Sequence, residues 1–260
     1  MVDFHTHILP NVDDGSKSVE ETFNLLREAE NAGFTKIIST SHYMEDYYEV
    51  QNKEREVWVN ALNDKLREQR SNLEIFLGNE IYISDNIVKL LEEGKAATIN
   101  NTSYVLFEIP LNSEPLNMND VLFEMLRYKL VPVLAHPERY SIVQQNPDLV
   151  YDWIQKGVLM QSNYGSIIGQ YGKKAQTIVR KLLKNNMVHF LGSDVHKQKS
   201  VYMHMPEILD ELTSLIGKEK LNELSNINPE LVLNNKKIEI PEPNHLTLSF
   251  TEKIKMNINK

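Results

Sequence analysis

Short apolar runs alternate with amphipathic helical stretches along nearly all of this 260-residue chain, and that alternation admits few folds. The strand-like runs fall at 2–7, 36–40, 73–77, 104–109, 131–135, 158–162 and 188–191. Helical patterns occupy 19–32, 53–70, 87–93, 119–127, 148–156, 173–185 and 205–224, with Gly33 and Gly157 stopping two of them before the next strand. Such alternation implies parallel βαβ units of a single α/β domain. Counting alone does not separate seven strands from eight, or a closed barrel from an open sheet.

The polar residues favour the barrel. His5 and His7 end the first run, and Asp194 and His196 follow the last. In an extended strand residues i and i+2 face the same way, so each pair offers two ligands in one direction. His42, Glu80, Glu108 and His136 also follow apolar runs. Six of the seven strands thus deliver His, Asp or Glu at the end where barrel enzymes build their sites. In an open sheet the outer strands would lie too far apart to converge.

Burying so many carboxylates and imidazoles together costs several kcal/mol per unpaired charge, on the order of what a domain's whole stability tolerates. Divalent cations are the simplest compensation, because they require ionised carboxylate and neutral imidazole side by side. With no cysteine in the chain, thiolate sites, disulfides and cysteine nucleophiles are excluded. Imidazole and carboxylate suit Mn, Fe, Zn, Co or Ni, and a bridging carboxylate, for which Glu80 is the candidate, suggests a polynuclear site. Arg139, three residues past His136, is placed to grip a phosphate, or else to pair with Glu138 at the surface. Asp13 and Asp14 stand in a turn after the first strand, and at least one is expected to face the site. Ser16 or Ser18 is expected to cap the first helix. Tyr43, Tyr47 and Tyr48 either line the cleft mouth or cover a loop. Residues 163–166 end the one strand without an evident ligand, and are expected to shape the pocket wall.

A formal charge of −8 argues against a broad nucleic-acid surface, which needs basic residues to displace counterions. No apolar stretch approaches the ~20 residues of a membrane span, and no signal peptide is evident, so a cytoplasmic location is expected. The last residues, 236–260, lie beyond the final unit; 246–250 alternate weakly like an edge strand.

Seven ordered motifs, DFHTHILPNVDDGSKS, STSHY, GNEIY, VLFEIP, PVLAHPERY, MQSNYGS and LGSDVH, resemble the PHP (polymerase and histidinol phosphatase) superfamily across residues 1–235. Within it the chain is most similar to bacterial manganese-dependent tyrosine-protein phosphatases of capsule and exopolysaccharide loci. The resemblance implies a distorted (β/α)7 barrel of the PHP type in a single domain, holding three metals. One would be bound by His5, His7, Glu80 and Asp194, a second by Glu80, Glu108 and His136 with Glu80 bridging, and a third by Asp14, His42 and His196. Arg139, Asp14 and His42 form the implied catalytic group, with Arg139 on the phosphate. The implied reaction is direct hydrolysis of phosphotyrosine by a metal-bound hydroxide, and the implied substrate is a bacterial tyrosine kinase with a tyrosine-rich tail. Competing readings are a histidinol-phosphate or other small phosphomonoester phosphatase, a metal-dependent amidohydrolase, and a non-catalytic metal-binding subunit. The amidohydrolase reading is weakened by Glu80 and Asp194-x-His196, which stand where a carboxylated lysine and a lone final Asp are usual.

Overall fold

In the computed structural model, residues 1–113 and 115–246 are described. The chain order is β1 (Val2–Thr6), α1 (Val19–Asn31), β2 (Lys36–Ser39), β3 (His42–Tyr43), α2 (Asn52–Glu68), β4 (Glu74–Leu77), β5 (Glu80–Tyr82) and α3 (Ile87–Glu92). There follow β6 (Tyr104–Glu108), α4 (Met118–Arg127), β7 (Val131–Ala135), α5 (Ser141–Gln145), α6 (Asp148–Gln155), β8 (Leu159–Asn163) and α7 (Tyr164–Ile167). The last elements are α8 (Gly172–Lys184), β9 (Phe190–Gly192), α9 (Met205–Asn222) and α10 (Asn228–Leu233).

Every strand pairing among the described residues is parallel, in two sheets ordered β1-β2-β4 and β3-β5-β6-β7-β8-β9. These join into one ring. β2 and β3 are successive lengths of one strand interrupted at Thr40-Ser41, and β4 and β5 are lengths of another interrupted at Gly78-Asn79. Backbone bonds carry the pairing across the breaks, from Gly78 N–H to Ser39 O (2.9 Å) and from Glu80 N–H to Thr40 O (2.9 Å). On the far side, Asp194 N–H donates to His5 O (2.8 Å) and His7 N–H to Val195 O (3.0 Å), joining the end of β9 to β1. The result is the expected distorted seven-stranded barrel. The breaks are the distortion, and the buried Arg55 of α2 secures one of them, donating to Gly78 O (2.7 Å) and to the Asn79 side chain.

An apolar plug of Val2, Phe4, Ile38, Leu106, Val133, Leu159 and Phe190 fills the lower barrel, closed below by Val232 and Leu233. Phe4 and Phe190 stack with ring centroids 4.2 Å apart. A second, larger core lies between the sheet and the helices. Above the plug the polar strand ends meet. Ser18 caps α1, accepting from Glu21 N–H at 3.1 Å, and Glu21 Oε2 reaches back to accept Lys17 N–H at 2.8 Å, one residue before the cap. Past α10, residues 235–246 run along the barrel wall, with Lys236 O accepting from Tyr104 Oη and Leu246 N–H donating to Asp148. The edge strand expected at 246–250 lies, apart from Leu246, outside the described residues.

Candidate metal centre

His5 and His7 reach the barrel axis because β1 is bulged. Asp3 faces Ile37, but Thr6 rather than His5 faces Ser39, so β1 carries one extra residue. Phe4 therefore joins the plug while its neighbour His5 still reaches the site, a re-aiming that bulges commonly perform. Gly15 lets the following loop close onto His7, since a Cβ there would sit 2.1 Å from the His7 carbonyl oxygen. His136 and Asp194 both have positive φ (34° and 54°), an unusual conformation for non-glycine residues that turns the chain at the ends of β7 and β9.

Glu80 lies at the centre. Its Oε2 is 3.1 Å from His5 Nε2, 3.4 Å from His7 Nε2 and 3.1 Å from His42 Nδ1, and its Oε1 is 2.8 Å from His136 Nε2. Asp194 Oδ1 adds contacts to His5 Nε2 (3.7 Å) and His7 Nε2 (3.5 Å). Glu108 Oε1 is 3.1 Å from His42 Nδ1. At the outer edge, Asp14 Oδ1 is 3.3 Å from His196 Nε2 and 3.6 Å from His42 Nε2. All nine residues expected as ligands from the sequence therefore meet in one cluster. Their donor atoms fall into overlapping groups, His5-His7-Glu80, His42-Glu80-Glu108 and His7-Asp14-His42-His196. His42 thus stands between Glu80 and Asp14.

This donor set fits divalent cations. His5 Nε2 and His7 Nε2, on two fully buried rings, point at each other across 3.0 Å with carboxylate oxygens beside them. Their other nitrogens are already engaged, His5 Nδ1 by Gln161 Oε1 (2.8 Å) and His7 Nδ1 by Asp13 Oδ2 (2.8 Å), which leaves the Nε2 atoms free to coordinate. Burial opposes charging of His5, but Glu80 and Asp194 outweigh it and raise its pKa to about 9. The same contest, with Glu80 and Glu108 opposing burial, takes His42 to about 10. Burial likewise opposes ionisation of Glu80, yet His5, His42 and His136 hold its carboxyl well below the usual range.

Arg139 does not pair with Glu138. Its Nη1 donates to Asp194 Oδ2 at 2.6 Å, and its guanidinium lies 4.5 Å over the Tyr171 ring. Of the two turn aspartates, Asp14 faces the cavity, while Asp13 is buried behind His7 and also accepts His42 N–H (2.8 Å). Tyr43 is buried, Tyr47 is exposed, and Tyr48 stacks against His42 with centroids 5.7 Å apart.

Two residues of β8 carry more than the wall-forming part expected at that strand end. Besides holding His5, Gln161 donates from Nε2 to Asn163 Oδ1 (2.9 Å), and Asn163 Nδ2 donates to Asp194 Oδ2 (2.7 Å). Gln161 and Asn163 are two apart in a buried strand, a polar i, i+2 pair with the same signature as His5 and His7. Tyr171, whose hydroxyl is 3.3 Å from Asp194 Oδ2, carries no such sequence signal.

The family model for capsular polysaccharide synthesis proteins of the CpsB/CapC type matches residues 1–234. The chain belongs to the CpsB/CapC family. As a CpsB/CapC protein it is 31% identical over 238 residues to the putative tyrosine-protein phosphatase CapC of Staphylococcus aureus, covering 92% of this chain and 93% of that one. To the tyrosine-protein phosphatase YwqE of Bacillus subtilis strain 168 it is 31% identical over 245 residues, 94% and 96% of the two chains. Among solved structures, one from work on Bacillus subtilis YwqE and Streptococcus pneumoniae CpsB, described as unique metal-dependent tyrosine phosphatases, superimposes with a TM-score of 0.89 at 30% identity, covering 95% of this chain and 100% of the other. The fold alone is shared with Lactococcus lactis histidinol phosphate phosphatase, at TM-score 0.54, 15% identity and coverage of 86% and 94%.

Proposed function

We propose that this CpsB/CapC protein is a metal-dependent phosphatase that hydrolyses phosphotyrosine on protein. The observation that carries the reading is the meeting of nine His, Asp and Glu side chains, Glu80 at their centre, beside Arg139 at one barrel end. The phosphatase names of relatives covering more than nine-tenths of the chain support it. In this reading His5, His7, Glu80 and Asp194 hold one cation, Glu80, Glu108 and His136 a second, and Asp14, His42 and His196 a third. Manganese is the proposed ion. Bound divalent cations supply Lewis acidity toward phosphoryl oxygens and make water acidic enough to furnish a nucleophile.

The chain's own residues do the rest. Arg139 presents a planar fork of N–H donors suited to two phosphoryl oxygens, and its tether to Asp194 and the Tyr171 face holds it ready. Asp14, half-exposed, and His42 lie at the outer edge of the cluster, within reach of a phosphate held there. A tyrosyl leaving group, with a pKa of about 10, needs little proton assistance, so aryl phosphates should outrun alkyl phosphates. The proposed substrate is a phosphorylated bacterial tyrosine kinase of capsule or exopolysaccharide synthesis, whose extended, tyrosine-rich tail would reach the barrel mouth. Residues 1–235 make up the proposed phosphatase barrel, with 236–260 appended. No helix of the described residues is long and apolar enough to cross a membrane.

The test is phosphate release from a tyrosine phosphopeptide, a serine phosphopeptide, p-nitrophenyl phosphate and histidinol phosphate, using chelator-stripped protein with Mn²⁺ restored. Mn²⁺-dependent turnover fastest on the tyrosine phosphopeptide supports the proposal. Preference for histidinol phosphate would move the protein to a small-molecule substrate, and no turnover with any metal would remove the enzymatic reading.

A further inference from the structure

The bulge in β1 that turns His5 and His7 inward needs something to hold it. Asp3, fully buried, lies two residues before His5. Its Oδ1 accepts Ser193 N–H at 2.8 Å and His5 N–H at 3.4 Å, one from each side of the seam between β9 and β1. Its Oδ2 accepts the Tyr202 hydroxyl at 2.9 Å. Tyr202, itself buried, belongs to the short helical turn Val201–His204 that follows the His196 loop. Its Oη also lies 3.3 Å from Ser193 Oγ, which in turn accepts Val195 N–H (3.3 Å) and approaches His5 O (3.4 Å). The seam itself is tight, since a Cβ on Gly192 would sit 2.6 Å from that of His5.

One carboxylate thus ties the backbone of His5 to that of Ser193, immediately before Asp194. None of its contacts reaches the cavity where phosphate would sit. Besides the Tyr202 hydroxyl, its partners are backbone N–H groups of the two segments that carry His5, His7, Asp194 and His196.

We infer that Asp3, braced by Tyr202, is a positioning residue: it fixes the β1–β9 seam so that His5, His7, Asp194 and His196 meet at metal-binding distance. The inference rests on the proposed metal centre, and deepens it by naming what sets the ligand geometry. Residues one layer behind metal ligands commonly change metal affinity by 10–100-fold when altered. Asp3→Ala removes both acceptor oxygens, whereas Asp3→Asn keeps an Oδ1 able to accept the two backbone N–H groups. Tyr202→Phe keeps the ring and removes only the brace.

Two readouts separate the inference from the reading beneath it. In metal-free protein, hydrogen–deuterium exchange of peptides spanning 1–7 and 190–196 should quicken in Asp3→Ala and stay near native in Asp3→Asn, with peptides from α8 unchanged. Mn²⁺ titration should show affinity reduced roughly ten-fold or more in Asp3→Ala, mostly rescued in Asp3→Asn, and moderately reduced in Tyr202→Phe. The visible absorption of Co²⁺-loaded Asp3→Ala should shift from that of the native protein, since the ligands would be realigned. Native exchange at the seam together with native Mn²⁺ affinity in Asp3→Ala overturns the inference. Equal losses in Asp3→Ala and Asp3→Asn also overturn it, because the charge and not the acceptor would then matter. Should Asp3→Ala not fold, Tyr202→Phe decides, with native exchange and affinity counting against the brace. If native protein binds no Mn²⁺ or Co²⁺, the proposed metal centre fails, while the exchange measurement still judges the seam.

Discussion

In the proposed reaction Arg139 is the residue on which the chemistry turns most directly. Its place beside Asp194 and over Tyr171 leaves it next to the proposed metal ligands rather than in a surface pair with Glu138. Replacing it with Ala should lower kcat for a tyrosine phosphopeptide by about 10²–10³-fold, with Mn²⁺ stoichiometry retained. Lys should restore little, because a point charge does not reproduce the fork. Near-native kcat in Arg139→Ala would remove Arg139 from the phosphate site. Gln161 and Asn163 test the support behind the ligands. Ala at either position should weaken Mn²⁺ binding by about ten-fold or more, read by titration, with the far-ultraviolet circular dichroism unchanged. At this scale the sequence was informative where side chains carry metal-binding chemistry at the i, i+2 spacing, as in His5/His7 and Asp194/His196. It was silent where the same spacing carries amides. Arg55 shows the other failure: in a charged helical run it looks solvated, yet it is buried, held through contacts 23 and 24 residues away at Gly78 and Asn79.

Among the elements, alternation located all seven strands of the barrel, since a parallel strand covered on both faces reads as an unbroken apolar run. It did not show that two of them are broken. The breaks at Thr40-Ser41 and Gly78-Asn79 arise from long-range bonds, such as Asn79 Nδ2 to Ser41 O (2.6 Å), which periodicity does not encode. The β1 bulge is equally hidden, because it appears only in register against β2. The join of β8 and the start of β9 offers a pH test. His189 is buried, its Nδ1 accepts Met160 N–H (3.0 Å), and burial, aided by the charge of Lys220, lowers its pKa to about 3. The unfolded chain takes up that proton near pH 6.5, so stability from this residue is full above about 6.5 and is lost as pH falls toward 3. The loss is about 2 kcal/mol at pH 5. Denaturant unfolding of His189→Asn, which retains an acceptor for Met160 N–H, should show a shallower fall between pH 7 and 5 than the native protein. Parallel curves would mean that His189 is not held neutral.

For the whole molecule, the barrel gathers carboxylates and imidazoles from strands distant in sequence, so the proposed cations would bind its folded form far better than the unfolded chain. Mn²⁺ at a thousand times its Kd should therefore add about 4 kcal/mol per site. For a chain of this size that raises Tm by about 8 °C or more, reversed by chelator. The shift should grow with pH. In the metal-free protein His5 and His42 have raised pKa values, about 9 and about 10, so their contribution is complete below pH 6.5 and disappears as pH rises through those values. Cations face the opposite trend, since they must displace those protons. Calorimetry at pH 6 and pH 9 should show the larger Mn²⁺-induced rise at pH 9; a larger rise at pH 6 would mean that protons and metal do not compete. The most direct test of the central claim is anomalous diffraction at the manganese edge from crystals grown with Mn²⁺. Anomalous peaks are expected within coordination distance of Glu80, flanked by His5, His7, His136 and Asp194, with further density beside Asp14, His42 and His196. A well-ordered cluster of these side chains with no manganese among them would contradict it.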